Sequence, residues 1–430
     1  MSQKAKSLTD IVNLFHPKAL TGEQIEFYQP TSAVRDGSTY EFHEGLYRLI
    51  VKSIVHERLL VVGHGGCGKS TELNMLIRKL STDGYPAIHI EALDNLDLFN
   101  FSYIDIFMLI VEKITQYAED NDLNVNERIL SAFKKALSTT IIEEYWQEED
   151  GTGVEGGITA SASIPYFLSV FTKITASLKM SSGFNEKLRN EIKPRIPNVI
   201  ASLNTFIEHI NEQVPHPIVI LIDGLEKCRH EGVRKLFIED ISAFSGIQAH
   251  LVVSCPISIF CSAGASILSS YFSTPVVIPM IKTHDKRHAP NVKGINVIKE
   301  LILKRADTTF FEDDVLDTII AKAGGSLRDT CYLLRSSAFE ADMNDKKTID
   351  LESANIALRK FANEVFFRVH AKHYSRMKEI YYGDHTARQD EASAELLYSG
   401  AVFEYNGKPW RDLHPLVRQY IDDNPEVLKS

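Results

Sequence analysis

The sequence GHGGCGKST at residues 63–71 follows the apolar run at 59–62 and precedes a helix-like segment that begins near Lys69. It satisfies the complete pattern G-x-x-x-x-G-K-[ST]. The glycines let the backbone bend so that successive N–H groups point inward at phosphate groups. The helix that follows offers the positive end of its dipole to the same charge. A chance match in a glycine-rich turn is the alternative, but the strand before the loop and the helix after it indicate a phosphate-binding loop.

Each part of this loop has a predicted role. Lys69 neutralises the β- and γ-phosphate oxygens, and Ser70 places its hydroxyl on Mg²⁺. Cys67 is interpreted as a small loop residue rather than a reactive thiol, although a helix N-terminus can lower the pKa of a thiol. The predicted nucleotide-binding residues are Gly63, His64, Gly65, Gly66, Cys67, Gly68, Lys69, Ser70 and Thr71.

A second acidic site follows the apolar run at 218–222, which ends at Asp223. Asp223 is the predicted second Mg²⁺ residue, directly or through a water; the alternative is an aspartate that caps a strand. Gly224 comes next and has no side chain to polarise a water. Glu226 lies three residues after Asp223 and is therefore the predicted general base, because it could swing toward the γ-phosphate if the strand ends at Asp223. The alternative is a solvated helix-start residue paired with Lys227 or Arg229.

Two further polar residues are candidates for sensing the γ-phosphate. Ser254 ends the strand-like HLVVS at 250–254, where a polar side chain can hydrogen-bond the attacking water; an ordinary strand-end serine is an equal alternative. Arg328 lies at the start of a helix predicted over 330–339. From a helical domain beside the nucleotide it would reach the phosphates. The alternative is a surface arginine in an amphipathic helix, which would be favoured if the other motifs were absent.

The predicted fold is α/β, with a doubly wound P-loop parallel sheet, an α-helical lid and a C-terminal winged-helix module. Strands are predicted by apolar runs bounded by turn residues, and strands alternating with helices indicate a parallel sheet. The predicted strands are 59–63, 86–92, 218–223, 250–254 and 276–278. An alternating stretch at 172–179 is a sixth candidate. Helices are predicted over 42–55, 69–80, 101–117, 125–146 and 186–211, the last broken near Pro194 and Pro197.

The composition of the chain changes along its length. Residues 1–40 are a polar lead-in, and 41–285 form the P-loop core with an insertion at 100–215 that is longer than one crossover helix requires. Within it, 148–163 are glycine-rich and predict a loop. A polar linker at 283–293 precedes an all-helical lid at 294–362. Residues 363–430 contain two strand-like runs around Asn406-Gly407, a strong hairpin signal, and this pattern favours a winged helix.

Global properties limit the partners and the setting. A net charge of −10 argues against nonspecific affinity of the whole chain for nucleic acid. The five cysteines show no C-x-x-C spacing, so a zinc site is not expected. The same spacing favours a reducing, cytoplasmic setting. The first ten residues lack the apolar core of a signal peptide, and no run of 18 apolar residues predicts a membrane span.

The motifs GHGGCGKST, IVILIDGLEK, VVSCP and GGSLRD, in this order, resemble those of the AAA+/STAND branch of P-loop ATPases. The layout is similar to that of origin-recognition proteins, with an ATPase core, a helical lid and a winged helix. The tail LLYSGAVFEYNGKPWRDLHPLVRQY looks like the winged-helix end of bacterial stand-alone ATPases with a GHxGxGKSTEL-type loop. The resemblance covers about residues 20–425 and is weakest over 100–215.

The resemblance implies an ATP- and Mg²⁺-dependent ATPase that acts as a molecular switch. By matching position it assigns Lys69 and Ser70 to phosphate and Mg²⁺, Asp223 to the metal, Ser254 to the strand sensor and Arg328 to the lid. Asp-Gly-Leu-Glu resembles the STAND form in which the later acid is catalytic, here Glu226. The family also implies self-association, with an arginine donated by a neighbouring subunit, and bacterial anti-phage defence as the setting. The candidates for that arginine are Arg229, Arg234 and Arg305.

The C-terminal module leaves the partner open. Residues 364–430 contain nine Lys or Arg and eleven Asp or Glu, a net charge of −2, whereas DNA-binding modules usually show a basic face. Lys408 and Arg411 beside aromatic residues would form a small basic patch on the wing. A protein partner, bound by the winged helix or the insertion, is therefore favoured over DNA. A DNA-binding initiator or loader and a nucleotide-locked scaffold that never hydrolyses remain as alternatives; a small-molecule kinase fits less well.

Overall fold

Residues 3–152, 163–180, 183–405 and 409–428 are described by the computed structural model of the chain. The segment before the core is part of the folded body. Leu8, Ile11 and Phe15 are buried, and the first helix packs against a helix of the lid. The helices of this segment and of the start of the core are α1 (Leu8–Leu14), α2 (Ser32–Arg35) and α3 (Phe42–Lys52).

A five-stranded parallel sheet forms the centre of the protein, and all five predicted strands are confirmed. Its spatial order is β2-β3-β4-β1-β5. The strand that leads into the P-loop therefore lies between the last two strands of the sheet. The strands are β1 (Arg58–Gly63), β2 (Ala87–Glu91), β3 (Val219–Asp223), β4 (His250–Pro256) and β5 (Thr274–Ile278).

Both faces of the sheet are covered, as the doubly wound prediction requires. Side chains alternate along a strand, so Leu60 and Val62 pack with the helices of the insertion, whereas Leu59 and Val61 pack with α3 and the P-loop helix. All four are fully buried. Strands buried on both faces read as continuous apolar runs, which is why they are recognisable in the sequence.

The helices of the core and its insertion correct two predictions. Residues 172–179 are helical rather than a strand, because their buried residues, Ile174, Thr175 and Leu178, continue the 3.6-residue spacing of one helix. The helix predicted over 125–146 is two helices. The break near Pro194 is confirmed as a 3₁₀ turn, Lys193–Arg195. The helices are α4 (Lys69–Thr82), α5 (Ala92–Asn95), α6 (Tyr103–Asp120), α7 (Glu127–Ala136), α8 (Thr140–Thr152), α9 (Ile164–Lys179), α10 (Gly183–Ile192), α11 (Ile196–Asn211), α12 (His230–Arg234) and α13 (Ile257–Phe260).

Most of the predicted glycine-rich loop at 148–163 lies outside the described residues. Residues 153–162 are not described, and residues 148–152 belong to α8. The loop prediction therefore remains a prediction for 153–162.

The region after the linker is helical, as predicted for the lid, and it contacts the core directly. Its second and third helices are joined by Gly324 and Gly325, both with positive φ. A Cβ at Gly325 would lie 1.8 Å from the carbonyl oxygen of Ile281, so only glycine allows this approach. The helices are α14 (Val292–Leu303), α15 (Val315–Ala323), α16 (Leu327–Met343) and α17 (Leu351–Phe367).

The C-terminal part combines three helices with an antiparallel hairpin, in which Tyr405 pairs with Trp410. The predicted turn residues Asn406 and Gly407 lie outside the described residues, and the winged-helix assignment remains a prediction. Phe403, Tyr405 and Trp410 join the core on the α3 and α4 face of the sheet. The elements are α18 (Tyr374–Tyr381), α19 (Glu391–Ser399), β6 (Val402–Tyr405), β7 (Trp410–Leu413) and α20 (Pro415–Asp423).

The close approach at Gly325 predicts a specific loss of stability. In Gly325→Ala the new side chain has an unfavourable φ of +87° and also clashes with the backbone of Ile281. In Gly383→Ala the φ of +109° is also unfavourable, but no atom lies within 4 Å of the new Cβ. The shared backbone cost is roughly 1–2 kcal/mol. We expect Gly325→Ala to lower the free energy of unfolding by about 2 kcal/mol more than Gly383→Ala. Urea unfolding of both variants measures this; equal losses would contradict the close packing of the lid on the core.

Candidate nucleotide-binding site

The P-loop runs from the end of β1 to the start of α4. Gly66 and Gly68 have φ angles of +89° and +106°, which side-chain-bearing residues rarely adopt. No side chain in the described ranges caps the N-terminus of α4 at Gly68. The first N–H groups of that helix therefore point into the loop and can receive an anion.

Lys69 is buried beneath the loop rather than extended into solvent. Its Nζ donates to the carbonyl oxygens of Gly63 at 3.1 Å and His64 at 2.9 Å. The same Nζ lies 3.7 Å from Oε1 of Glu226. Burial lowers the pKa of Lys69, but the nearby acids, Glu226 first, outweigh burial and leave the pKa above its ordinary value. Lys69 is therefore a fixed positive charge at the base of the loop.

Asp223 and Glu226 form a buried pair of acids opposite Lys69. Burial and the charge of Glu226 raise the pKa of Asp223, while a hydrogen bond from Ser70 acts in the opposite direction. Burial alone would raise the pKa of Glu226, but Lys69 and Arg328 outweigh burial and leave that pKa below its ordinary value. Within the described part of the chain, Asp223 Oδ1 and Glu226 Oε2 are buried without a hydrogen-bond partner. Two unsatisfied acceptors beside a phosphate loop suit a metal ion and its waters.

Glu91 is a third acid at this edge of the sheet, and sequence analysis missed it. It ends β2, beside Asp223 in register, and its Oε1 accepts from Lys227 Nζ at 2.8 Å. A Cβ at Gly224 would lie 1.9 Å from this oxygen. Glu91 thus fills the space that a side chain at 224 would need. Gly224 also has a φ of +82°, which favours glycine directly after Asp223. The sequence did carry one signal for Glu91: it is an acidic residue at the end of a predicted strand, and the ends of parallel strands meet at one edge of the sheet.

The lid contacts the P-loop through the first turn of α16. The N–H groups of Leu327 and Arg328 both donate to the Gly66 carbonyl oxygen, at 3.1 and 3.3 Å. A Cβ at Gly65 would lie 3.0 Å from Arg328 Nη1, and a Cβ at Gly66 would lie 2.6 Å from Arg328 Cβ. The guanidinium of Arg328 therefore lies over the phosphate loop and faces the same space as Lys69 and Glu226.

The lead-in completes the site from the other side. Arg35 is buried and donates to the carbonyl oxygens of Cys67, at 2.7 Å, and Pro279. Leu20 is tied to the start of α4 by bonds to Thr71 and Asn74. Together the P-loop, the lead-in and the lid enclose a cleft of about 650 Å³. This volume is in the range of small-molecule and cofactor sites.

A larger cavity, of about 920 Å³, lies between α3, β5 and the C-terminal hairpin. Of the P-loop residues, only His64 lines it. The phosphate loop, Glu226 and Arg328 meet in the smaller cleft instead.

His64 joins the P-loop to the C-terminal hairpin. Its Nε2 accepts from the backbone N–H of Glu404 at 2.8 Å, and its ring packs edge-on against Phe403 at 5.5 Å. Burial, with Lys69 and Arg411 nearby, lowers the pKa of His64 to about 3. The ring is therefore neutral at physiological pH and remains an acceptor for this bond.

The remaining predicted residues divide into those that reach the cleft and those that do not. Ser254 is fully buried, and its Oγ has no partner within the described ranges, but it does not line the cleft. The neighbouring residue, Cys255, lies close enough to Lys69 for the lysine charge to act on the pKa of its thiol, which burial raises. Arg229 is exposed and Arg234 is half-buried, whereas Arg305 is buried over Phe15 and Phe27 and lines the cleft of its own chain. Arg305 therefore cannot be donated to a neighbouring subunit.

Residues 41–244 match the KAP family P-loop domain, slightly less than half of the chain. The chain contains a P-loop NTPase domain. The match includes the P-loop, Glu91, Asp223 and Glu226. No curated protein matches the chain.

Several solved structures are similar to the whole chain at low identity. They include the Aeropyrum pernix ORC1 protein in complex with DNA, with 14% identity and a TM-score of 0.40 over 100% of this chain and 99% of that one. The Aeropyrum pernix ORC2 protein in ADPNP–ADP complexes has 11% sequence identity and a TM-score of 0.41, over 96% of this chain and 99% of that one. The Thermotoga maritima RuvB Holliday junction branch migration motor has 12% sequence identity and a TM-score of 0.34, over 95% of this chain and 98% of that one.

None of the helices in the described ranges is long and apolar enough to cross a membrane.

The low pKa of His64 predicts a loss of stability in acid. The unfolded chain takes up a proton at about pH 6.5, whereas folded His64 does so only near pH 3, so stability falls as pH drops between these values. At about pH 5 this amounts to about 2 kcal/mol. His64→Gln keeps an acceptor for the Glu404 N–H without titrating. We expect urea unfolding at about pH 7.5 and about pH 5 to show a smaller acid loss in this variant. His250 also has a lowered pKa, but it titrates in both proteins, so its contribution cancels in the comparison. If the wild type and His64→Gln lost the same free energy of unfolding between the two pH values, a buried neutral His64 would be contradicted.

Proposed function

We propose that the protein is an ATP-binding and ATP-hydrolysing molecular switch of the AAA+/STAND type. The observation that carries this proposal is that two other parts of the chain bond directly to the phosphate loop. The lid donates to Gly66, and the C-terminal hairpin donates to His64. A change of the loop on nucleotide binding or hydrolysis would therefore be felt by both. The parts of the switch are those predicted: lead-in 1–40, core 41–285, lid 294–362 and winged helix 363–430.

ATP would lie in the cleft of about 650 Å³, with its phosphates in the P-loop. Lys69 and the uncapped start of α4 supply positive charge to the phosphates. Arg328, from the lid, lies over the loop where a γ-phosphate would be held, so it would report whether that phosphate is present. The lead-in residues around Leu20 and Tyr28 would cover the nucleoside.

The residues also fit Mg²⁺. Ser70 offers a hydroxyl beside Asp223, and Oδ1 of Asp223 is buried without a hydrogen-bond partner in the described part of the chain. These two residues would hold the ion, which when bound would neutralise charge on the β- and γ-phosphates.

Glu226 is the proposed general base. Lys69 keeps its carboxylate ionised, and the free Oε2 can take a proton from a water. The water oxygen would form a bond to the γ-phosphorus as the bond to the bridging oxygen breaks, releasing ADP and phosphate. Glu91 is less suited, because Lys227 Nζ donates to its Oε1 at 2.8 Å, a closer contact than the 3.7 Å between Lys69 Nζ and Oε1 of Glu226.

A protein partner is proposed rather than DNA. Arg411, one of two cations predicted for a basic wing, is 1% exposed and is bonded to Glu404 at 2.8 Å. That part of the basic-patch prediction is wrong; Lys408 lies outside the described residues. Self-association is proposed through Arg229, which is exposed, or Arg234, which is half-buried. The cytoplasm and bacterial anti-phage defence are the proposed setting, on the family resemblance alone.

A nucleotide-locked scaffold is the second candidate function. It is favoured by one observation: Glu226 lies 3.7 Å from Lys69, so the proposed base is held in an ion pair. In this case ATP would be bound and kept, and the switch would be set once.

Substitution of the two cleft acids distinguishes these functions. We expect the wild type to hydrolyse ATP, and Lys69→Ala to lose ATP binding because it removes the charge under the phosphates. Glu226→Gln should bind ATP but lose turnover by at least about 100-fold, the usual size of a general-base contribution. Glu91→Gln is the matched control and should lose less than about 10-fold. ATP turnover and ATP binding by each purified protein provide the readouts.

Each other result has a definite meaning. A large loss in Glu91→Gln with an active Glu226→Gln would move the base to Glu91. A wild type that binds ATP without turnover, even at protein concentrations high enough for subunits to complete each other's sites, would favour the scaffold. A wild type that binds no nucleotide would contradict the switch altogether.

A further inference from the structure

A cluster of histidines lies between the linker and the C-terminal hairpin, away from the P-loop. The linker folds back on itself, with a hydrogen bond from Asp285 N–H to Ala289 O and a bridge between His284 and Pro290. This turn brings His284 and His288 side by side, with ring centroids 5.6 Å apart. Asp412, in β7 of the hairpin, faces both rings.

Three metal-ligating atoms converge at this point. His288 Nε2 lies 2.8 Å and His284 Nε2 lies 3.3 Å from the same oxygen, Oδ2 of Asp412. All three atoms lie within 4.8 Å of one another. Ligands about 2.0–2.1 Å from a tetrahedral zinc ion are about 3.4 Å apart. The distance of 3.3 Å between His284 and Asp412 is close to that value, and the distance of 2.8 Å between His288 and Asp412 is shorter, so a bound ion would move these two groups slightly apart.

The surroundings orient these ligands as outer-shell groups do in metal sites. Oδ1 of Asp412 accepts from Arg418 Nη2 and from the Leu413 N–H, both at 2.8 Å, which fixes the carboxylate with Oδ2 toward the imidazoles. His284 Nδ1 lies 3.3 Å from the hydroxyl of Thr283, leaving Nε2 to face the cluster. Tyr405 and Trp410 pack on His284. One side of the site is thus dry and fixed.

The other side is open through His288. Its side chain is 41% exposed, and its backbone has a φ of +61°, a conformation that costs a non-glycine residue energy. The contact with Asp412 offsets this cost and keeps the imidazole over the carboxylate. The exposure leaves a path for an ion and room for a water as a further ligand.

We propose that His284, His288 and Asp412 form a binding site for a divalent transition metal, Zn²⁺ by its preference for imidazole and carboxylate ligands. The bound ion ties the linker between core and lid to the C-terminal hairpin. The same hairpin contacts His64, so the metal would fix the position of that contact. The proposal stands on its own geometry and does not depend on ATP hydrolysis.

Zinc titration of the full chain tests the site. The protein is first stripped with a chelator and then kept in excess Mg²⁺, which fills oxygen sites near Asp223 but competes poorly for imidazole. We expect one Zn²⁺ to bind per chain under these conditions. Co²⁺ in place of Zn²⁺ should give the absorption of a nitrogen- and oxygen-ligated ion without a thiolate charge-transfer band.

His288→Gly is the decisive variant, because glycine accepts the positive φ and the side chain is exposed, so folding is preserved. Loss of a ligand should weaken Zn²⁺ binding by more than about 100-fold, beyond the loss typical of outer-shell changes. His284→Gln should act in the same way. His370→Ala, at an exposed histidine outside the cluster, should leave binding unchanged. No Zn²⁺ binding by the wild type, an unchanged affinity in His288→Gly, or a thiolate band would overturn the proposal and leave a hydrogen-bonded histidine–aspartate cluster.

Discussion

The rest of the structure depends on how closely the lid approaches the phosphate loop. The Gly66 carbonyl accepts from the first turn of α16, and a Cβ at Gly66 would lie 2.6 Å from Arg328 Cβ. Glycine is therefore required twice over, for the φ that shapes the loop and for the space that the lid occupies. Since protein interiors are close-packed, a loop that moves by a fraction of an ångström must move the lid with it. The P-loop motif thus encodes a contact as well as a phosphate site.

The same loop is held on its other flanks by parts of the chain far away in sequence. Arg35 donates to the Cys67 carbonyl, and His64 accepts from the hairpin at Glu404. Lead-in, lid and hairpin thus meet on a loop of nine residues. Allosteric coupling needs two sites and an element that both of them bias. Here the loop is that element, and the histidine–aspartate cluster at Asp412 would set how firmly the hairpin rests against it.

The sheet and the phosphate site were predictable because their signals are local. Buried parallel strands read as apolar runs, and the P-loop is a contiguous motif between a strand and a helix. The strand prediction for 172–179 was wrong because a short alternating segment does not distinguish a strand from part of a helix. The helical spacing becomes visible only when the preceding turns are included. Contacts across the fold left no local signal: His64 and Glu404 are 340 residues apart, and Glu91 reaches Gly224 only through the register of β2 and β3.

Hydrogen exchange at the hairpin, with and without a nonhydrolysable ATP analogue and Mg²⁺, tests the central claim most directly. The amide of Glu404 donates to His64, so its exchange reports how often the hairpin leaves the P-loop. The account predicts slower exchange over residues 402–405 when ATP fills the loop, and loss of this effect in His64→Ala, which should still bind ATP. A segment in α7, in the insertion, corrects for overall stabilisation by ligand. Unchanged exchange at the hairpin in saturated wild-type protein would contradict the claim that nucleotide state is passed through His64.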